Sequence, residues 1–421
     1  MQKTPLLLFL CCILLFPYSC KDNEKKQEQK PVVKLVPKSV KFKKETLKRI
    51  GSRGDNWCLT WAKDGSQIVS MDDGNWLVFE PPIAQIHNDL YRVIGGPDNF
   101  QREEISNYPD FSDEDGSWFG YGIVSVNGDL YSAISKTPGP SWSGPFTGIK
   151  LLKSSDNAES WHRVNREGKI LALSADREIR NVVNEEEMFF LEEFGIPHKE
   201  QIAYPFSFID FVQEGQNHSA SKDNFVYIYS PEGAQAHKLT LAKTHKDSID
   251  FRDAWEYFTA FDGKGEPQWS KHITERGYVH EFPQKSAKGH HFGWYSWLPS
   301  VVWNEGLELY IMVNGGSYGG YGMTDSDVDY YDRWMHTETG SLGFWYSENP
   351  YGPWTEFFYT DYWTVDDDKN RTYQPKLSPK WISEDGKKMT LIWSDAMKNA
   401  EGKSHSTNYL WNQMEIEITV E

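Results

Sequence analysis

Five times along the chain an aromatic-rich stretch turns tightly and returns as a second apolar stretch. The first unit runs Asn56 to Trp61, turns at Lys63-Asp64-Gly65, and returns over Gln67 to Met71. The second pairs Phe119 to Val124 with Asp129 to Ile134 across Val126-Asn127-Gly128. The third pairs Pro205 to Val212 with Phe225 to Tyr229 across a longer connection. The fourth pairs Trp297 to Trp303 with Leu307 to Val313 across Asn304-Glu305-Gly306. The fifth pairs Gln374 to Trp381 with Lys388 to Trp393 across Ser383-Glu384-Asp385-Gly386. A glycine at a two-strand turn supplies the positive φ that tight hairpins need. Further strand-like runs follow each pair, at Ile149 to Leu152 and Trp161 to Val164, Leu239 to Thr244 and Trp255 to Phe261, Ser341 to Tyr346 and Trp354 to Tyr359, and Leu410 to Val420. Four strands per repeat is the plan of a propeller blade, so the expected class is all-β, a single propeller of five blades. The one stretch that reads as helix is Glu185 to Glu193. The turn Ser154 to Trp161 resembles an Asp box with Ala158 in place of its usual glycine.

The first nineteen residues stand apart. Lys3 precedes an apolar run, Leu6 to Phe16, that is too short to cross a bilayer and ends at Pro17-Tyr18-Ser19-Cys20. That pattern resembles a bacterial signal peptide with a lipobox, in which Cys20 carries the lipid. The following Lys21-Asp22-Asn23-Glu24 resembles a Bacteroidetes surface-export signal. Lys21 to about Lys44 is charged and proline-punctuated, and reads as a tether. The expected division is therefore 1–19 signal peptide, 20–45 lipidated cysteine and tether, and 46–421 propeller, held at the outer membrane by its lipid and surface-exposed or periplasmic. Of the four cysteines, Cys11 and Cys12 leave with the signal and Cys20 is lipidated, so Cys58 has no partner for a disulfide. No cysteine-based metal site is possible, and no cofactor or metal is expected. A net charge of −17 excludes nucleic acid as a natural partner. The chain is expected to act as a monomer.

In a propeller the innermost strands converge on one mouth, where ligands bind. The entries to the five first strands bring Asp55, Asn56 and Trp57; Trp118 and Tyr121; Tyr204; His291, Trp294, Tyr295 and Trp297; and Tyr373, Gln374 and Lys376. Aromatic faces, amides and a few charges suit a sugar, so Trp57, Trp118, Tyr121, Tyr204, Trp294, Tyr295, Tyr373, Gln374 and Lys376 are candidate substrate contacts. Hydrolysis of a glycosidic bond takes two carboxylates. Asp55 opens the first unit, and Asp73, in Met71-Asp72-Asp73-Gly74, ends its return strand, so the hairpin brings both to one rim. A different chemistry is open to the histidines. His87, His280 or His291 with a tyrosine, and Arg53, Arg92, Arg276 or Lys376 neutralising a uronate, would support elimination. His280 with His290-His291 matches no metal-binding spacing.

Gly54-Asp55-Asn56-Trp57, Thr60 to Gly65 and Asp73-Gly74 resemble a family of secreted propellers that includes bacterial endo-D-arabinanases. Phe211-Val212-Gln213, Asp223 to Tyr229, Pro350 to Trp354, Tyr373 to Trp381 and Tyr409 to Met414 extend the resemblance over most of residues 50–420. It implies a carbohydrate partner, a polysaccharide or its oligosaccharides, and catalytic aspartates at Asp55 and Asp73. Similar propellers of Bacteroidetes polysaccharide-utilisation systems act on uronic-acid polymers such as ulvan by lyase or dehydratase chemistry. The expectation is a glycan-cleaving enzyme acting by paired aspartates, with uronate elimination or non-catalytic glycan binding as alternatives.

Overall fold

Short β-branched and aromatic runs between glycine turns cannot bury a face alone, and here they assemble as five twisted antiparallel sheets around one axis. The computed structural model describes residues 35–79, 86–111, 118–136, 146–193, 204–232, 235–283, 290–292, 298–321, 340–366, 372–395 and 409–421. Blade one orders Leu59–Trp61, Gln67–Met71, Asp89–Ile94 and Gln101–Glu104 from the axis outward. Blade two begins with Trp118–Val126 and Asp129–Lys136, blade three with Asp210–Phe211 and Phe225–Glu232, blade four with Ser300–Asn304 and Leu309–Tyr321, and blade five with Thr372–Ile382 and Lys388–Asp395. The protein is a five-bladed β-propeller, as the repeat implies.

The aromatic content fills the wedges between blades. Trp57, Trp76 and Trp411 pack ring on ring, 4.7 to 5.3 Å apart, between blades one and five. Tyr121 meets Phe208 at 4.4 Å between blades two and three, and Tyr229 meets Trp354 at 6.4 Å between three and four. Buried rings of this size carry much of the apolar area of a β core.

Two expectations change. The stretch Glu185 to Glu193 is no helix; it is a turn that brings Phe190 against Ile149 at the edge of blade two. The only α-helix among the described residues is Arg177–Arg180. The tether also ends earlier than the sequence implies. Pro37–Phe42 is the outermost strand of blade five, paired with Leu410–Val420, and Lys48–Arg53 continues along the same strand. Val40 is buried there, and Phe42 packs 5.3 Å from both Phe358 and Trp363. Alternating apolar residues in a charged segment were enough to make an edge strand once a partner edge was available.

Strand direction divides the propeller into two faces. Each first strand starts at one face, here called upper, and its hairpin turns at the other. The axis is closed below. Lys376 of blade five reaches Asp210 of blade three, Nζ to Oδ2 3.4 Å, and the Leu298 carbonyl at 3.2 Å. The Cys58 thiol of blade one donates to the same Asp210. Lower still, the loop after Gln213 crosses beneath the axis. Gln216 Nε2 bonds the Ala62 and Lys63 carbonyls of blade one, and Asn217 Oδ1 accepts from Gly128 N of blade two. The funnel formed by the described residues therefore opens upward.

Candidate active site

Asp55 precedes the first strand of blade one, and Asp72 and Asp73 end the second, so an antiparallel pair returns all three to the upper rim. A backbone bridge locks them together, with Asp55 N donating to Asp72 O at 2.9 Å and Asp72 N to Asp55 O at 3.0 Å. Holding the carboxyls this closely bends the chain. Asn56 and Asp73 both take positive φ, 59° and 58°, which asparagine and aspartate tolerate better than most residues. Gly74 is required by the close approach, because a Cβ there would sit 2.0 Å from the Arg53 carbonyl oxygen.

His87, just before the third strand of the blade, places Nδ1 2.5 Å from Asp73 Oδ1 and 3.3 Å from Asp72 Oδ1. Its carbonyl accepts from Gly120 N at 2.8 Å, and its ring packs 4.6 Å from Phe119. Tyr409, just before the third strand of blade five, completes the group. Its hydroxyl lies 2.7 Å from Asp55 Oδ2 and 3.0 Å from Asp73 Oδ2, and the Arg53 guanidinium stands 5.6 Å from its ring centroid. Asp55 and Tyr409 are each 2 % exposed, whereas Asp73 and His87 open partly to the funnel.

Charge explains the protonation pattern. Burial and then the charge of Asp73 raise the Asp72 carboxyl well above the usual carboxylate range. Burial opposes the charged form of His87, but its hydrogen bonds and attraction to Asp72 and Asp73 outweigh it and lift the imidazole to about 10. His87 is thus a cation at neutral pH. Burial and the charges of Asp55, Asp73 and Asp72 keep the Tyr409 phenol protonated. A phenol has one proton, so it donates to only one aspartate at a time. Among the described residues, Asp72, Asp73 and His87 are the group that could hold a metal ion, with ligand atoms within 4.8 Å of one another. The direct ion pair of His87 with Asp73 occupies the inner atoms of that set.

Asp55 and Asp73 are therefore brought together as the sequence implies, and His87, expected to serve a different chemistry, joins them. Sequence reasoning missed Tyr409, which no spacing connects to a site more than three hundred residues away, and Asp72, whose signal was present in the Asp-Asp-Gly turn. Most of the expected sugar contacts lie elsewhere. Trp57 is fully buried, its indole N–H donating to Ser394 Oγ at 2.9 Å, so its faces belong to the core. Trp118 is buried beneath the Lys136 and Lys150 ammonium groups, and Tyr121 is buried against Phe208. Tyr204 donates to Glu193 at 2.9 Å. Lys376, fully buried, is committed to Asp210. Gln374 does enter the upper region of blade five, with positive φ (48°). Both its amide atoms are buried and unpartnered, as are those of Asn56. Tyr373 pairs with Ser394 through its backbone, and His291 lies in the strand His290–Phe292; their side chains, with all of Trp294 and Tyr295, fall outside the described residues, as does Cys20.

The remaining expected acid–base and cationic groups are engaged away from the cluster. His280 packs on Phe282 and Trp345, and burial lowers it to about 4, a neutral ring in an apolar seam. Arg92 pairs with Asp64 at 2.6 Å beside a lower-face turn, and Arg276 makes a two-pronged pair with Glu232 at 2.7 and 2.9 Å.

No family model matches the sequence, and no curated protein matches it. Solved structures with similar architecture include an alpha-L-arabinofuranosidase from Podospora anserina in complex with cellotriose, at 8 % identity and TM-score 0.44, covering 91 % of this chain and 95 % of that one. A glycosyl hydrolase from Bacteroides ovatus is similar at 10 % identity and TM-score 0.41, covering 92 % of each chain. A thermostable family-43 glycoside hydrolase follows at 11 % identity and TM-score 0.41, covering 88 % and 90 %. Identities and scores this low leave the chemistry to the residues themselves.

Proposed function

We propose that the protein is a glycoside hydrolase that cleaves a polysaccharide or its oligosaccharides with retention of configuration, through Asp55 and Asp73. The observation that carries this reading is the single Tyr409 hydroxyl within hydrogen-bond distance of both carboxylates. Two oxygens bridged by one hydroxyl lie less than ~6 Å apart, short of the ~6.5–9.5 Å that leaves room for a water between acid and base.

The environments divide the roles. Asp73 is partly exposed and pairs with the His87 cation, so it attacks the anomeric carbon. Asp55 is buried against Tyr409, holds the shared proton, and gives it to the departing glycosidic oxygen. Asp55 then takes a proton from the water that attacks the anomeric carbon and releases Asp73.

Elimination fits the groups less well. A histidine base would have to be unprotonated and near the site, whereas His87 is cationic and His280 packs on Phe282 and Trp345. Of the four candidate cations for a uronate, Arg92, Arg276 and Lys376 are already paired with carboxylates, and Arg53 alone stands beside the cluster, over the Tyr409 ring.

The test is a polysaccharide panel read by mass spectrometry, followed by NMR of the first-formed anomer. Hydrolytic products with retained configuration are expected, and Asp55→Asn and Asp73→Asn should each lower turnover at least a hundredfold, about the scale of one acid–base group. Unsaturated products, inversion, or full activity in either variant would overturn the reading.

A further inference from the structure

Among the described residues, Trp61 is the one tryptophan whose ring meets no other ring and no cation. Its indole N–H is also buried without a hydrogen-bond partner there. A tryptophan that serves the core normally uses its face, its N–H or both. Strand periodicity explains the position. Thr60 turns toward blade two, where its hydroxyl accepts from Ser125 N at 2.8 Å. Trp61 therefore shares the side of Leu59, which packs into the wedge between blades one and five. Trp61 stands below the end of that wedge, half-buried, and lines a pocket of about 400 Å³ on the lower face. Trp303 and Glu305 of blade four and Lys380, Ile382 and Glu384 of blade five line the rest. The walls are tied to one another. Asn304 Nδ2 donates to the Gly386 carbonyl at 2.7 Å and joins the turns of blades four and five, and Lys380 Nζ donates to the Gly65 carbonyl of blade one at 2.5 Å. Gly306 is required by that joint, because a Cβ there would sit 2.2 Å from Gly386 N.

We propose that this pocket is a second, non-catalytic site that binds a neutral sugar unit of a polysaccharide, on the face opposite the carboxylates. The proposal rests on the reading of the protein as a glycan-cleaving enzyme, which makes a sugar the occupant. The lining has the chemistry for it. Trp61 offers a flat apolar face for the C–H side of a sugar ring. Glu305 and Glu384 are exposed, make no ion pair among the described residues, and accept from sugar hydroxyls. Two carboxylates beside one lysine, itself engaged with the Gly65 carbonyl, repel a uronate or a sulfated sugar. Trp303 contributes an edge rather than a platform, since the Lys222 ammonium lies 3.9 Å from its ring centroid and Tyr310 4.9 Å from it. A long chain held below stays at high local concentration for the upper mouth, whereas a short oligosaccharide occupies one site at a time.

The experiment is affinity electrophoresis of the full chain in native gels containing arabinan, xylan, mannan or hydroxyethylcellulose, with polygalacturonate as the acidic comparison. Asp73→Asn serves as the background, so that the gel is not consumed. Retardation is expected in at least one neutral gel. Trp61→Ala should weaken it at least about threefold, and Trp61→Phe, which keeps a ring, should retain most of it. Glu384→Gln, on an exposed turn that bears no packing load, should weaken it about twofold and carries the test if Trp61→Ala does not fold. With Asp73 intact, none of the three should change cleavage of tetrasaccharides. Retardation as strong in Trp61→Ala and Glu384→Gln as in the background protein, retardation in no neutral gel, or retention by polygalacturonate alone would overturn the second site. Trp61-dependent retardation with no hydrolysis of any glycan would instead overturn the proposed activity and leave the sugar site standing.

Discussion

His87 offers the most direct test of how the cluster is charged. Replacing it with glutamine keeps most of the volume and removes the cation between Asp72 and Asp73. The folded imidazole is lifted from an ordinary 6.5 to about 10. At about 1.4 kcal/mol per unit that shift corresponds to a few kcal/mol, roughly 3–5, because the side chain is mostly shielded from solvent. A raised histidine pKa stabilises the fold fully below about 6.5 and loses that contribution as pH climbs through about 10. Asp72, whose carboxyl is also raised, takes a proton in the variant and limits the loss. Urea unfolding of the unsubstituted protein and His87→Gln at pH 6, 8 and 10 reads the difference. A gap of about 2–4 kcal/mol is expected at pH 6, shrinking steadily toward pH 10. A gap that stays constant or widens with pH would refute the assignment of His87 as a fixed cation. The same assignment predicts no activity limb near pH 6.5 from His87.

Tyr409→Phe removes the hydroxyl shared by Asp55 and Asp73 and leaves the buried Asp55 and the partly exposed Asp73 without a common donor; turnover should fall about ten- to a hundredfold, with KM changed much less, as steady-state kinetics on the panel's substrate would show. Ala158 holds a positive φ of 74° in its Asp-box-like turn, where Asp156 already accepts from Ser154 and Ser160. Ala158→Gly should therefore raise stability by about 0.5–1 kcal/mol in thermal or urea unfolding, the relief of left-handed strain exceeding the entropy of the added glycine. Removing residues 35–43 strips the outer strand from blade five together with the Val40 and Phe42 packing, and should cost at least about 3–5 kcal/mol or prevent folding, seen by circular dichroism.

Much of the fold was legible because a propeller repeats one local solution. A glycine or asparagine turn between two apolar runs makes a hairpin wherever it occurs, and Gly65, Gly128 and Gly386 all hold the positive φ that the pattern demands. The edge strand Pro37–Phe42 was not legible, since its charged composition resembles a tether and only the free edge of Leu410–Val420 recruits it. The histidines divide in the same way. His87 and His280 look equivalent as loop histidines, yet one sits between two carboxylates and the other in an aromatic seam, and their pKa values move in opposite directions.

The five hairpin units and the return of Asp55 and Asp73 to one rim follow from local turn chemistry and strand length, so they can be read along the chain alone. Which aromatic residues are core, and which carboxylates share a proton, depends on how the blades meet. Trp57, Trp118 and Tyr121 are consumed by the wedges between blades, whose depth depends on how five sheets twist together. Tyr409 reaches Asp55 and Asp73 only because ring closure brings the last blade against the first. Hydrogen-bond networks across that seam depend on distances no chain spacing encodes, so the site's electrostatics arise from closure of the ring.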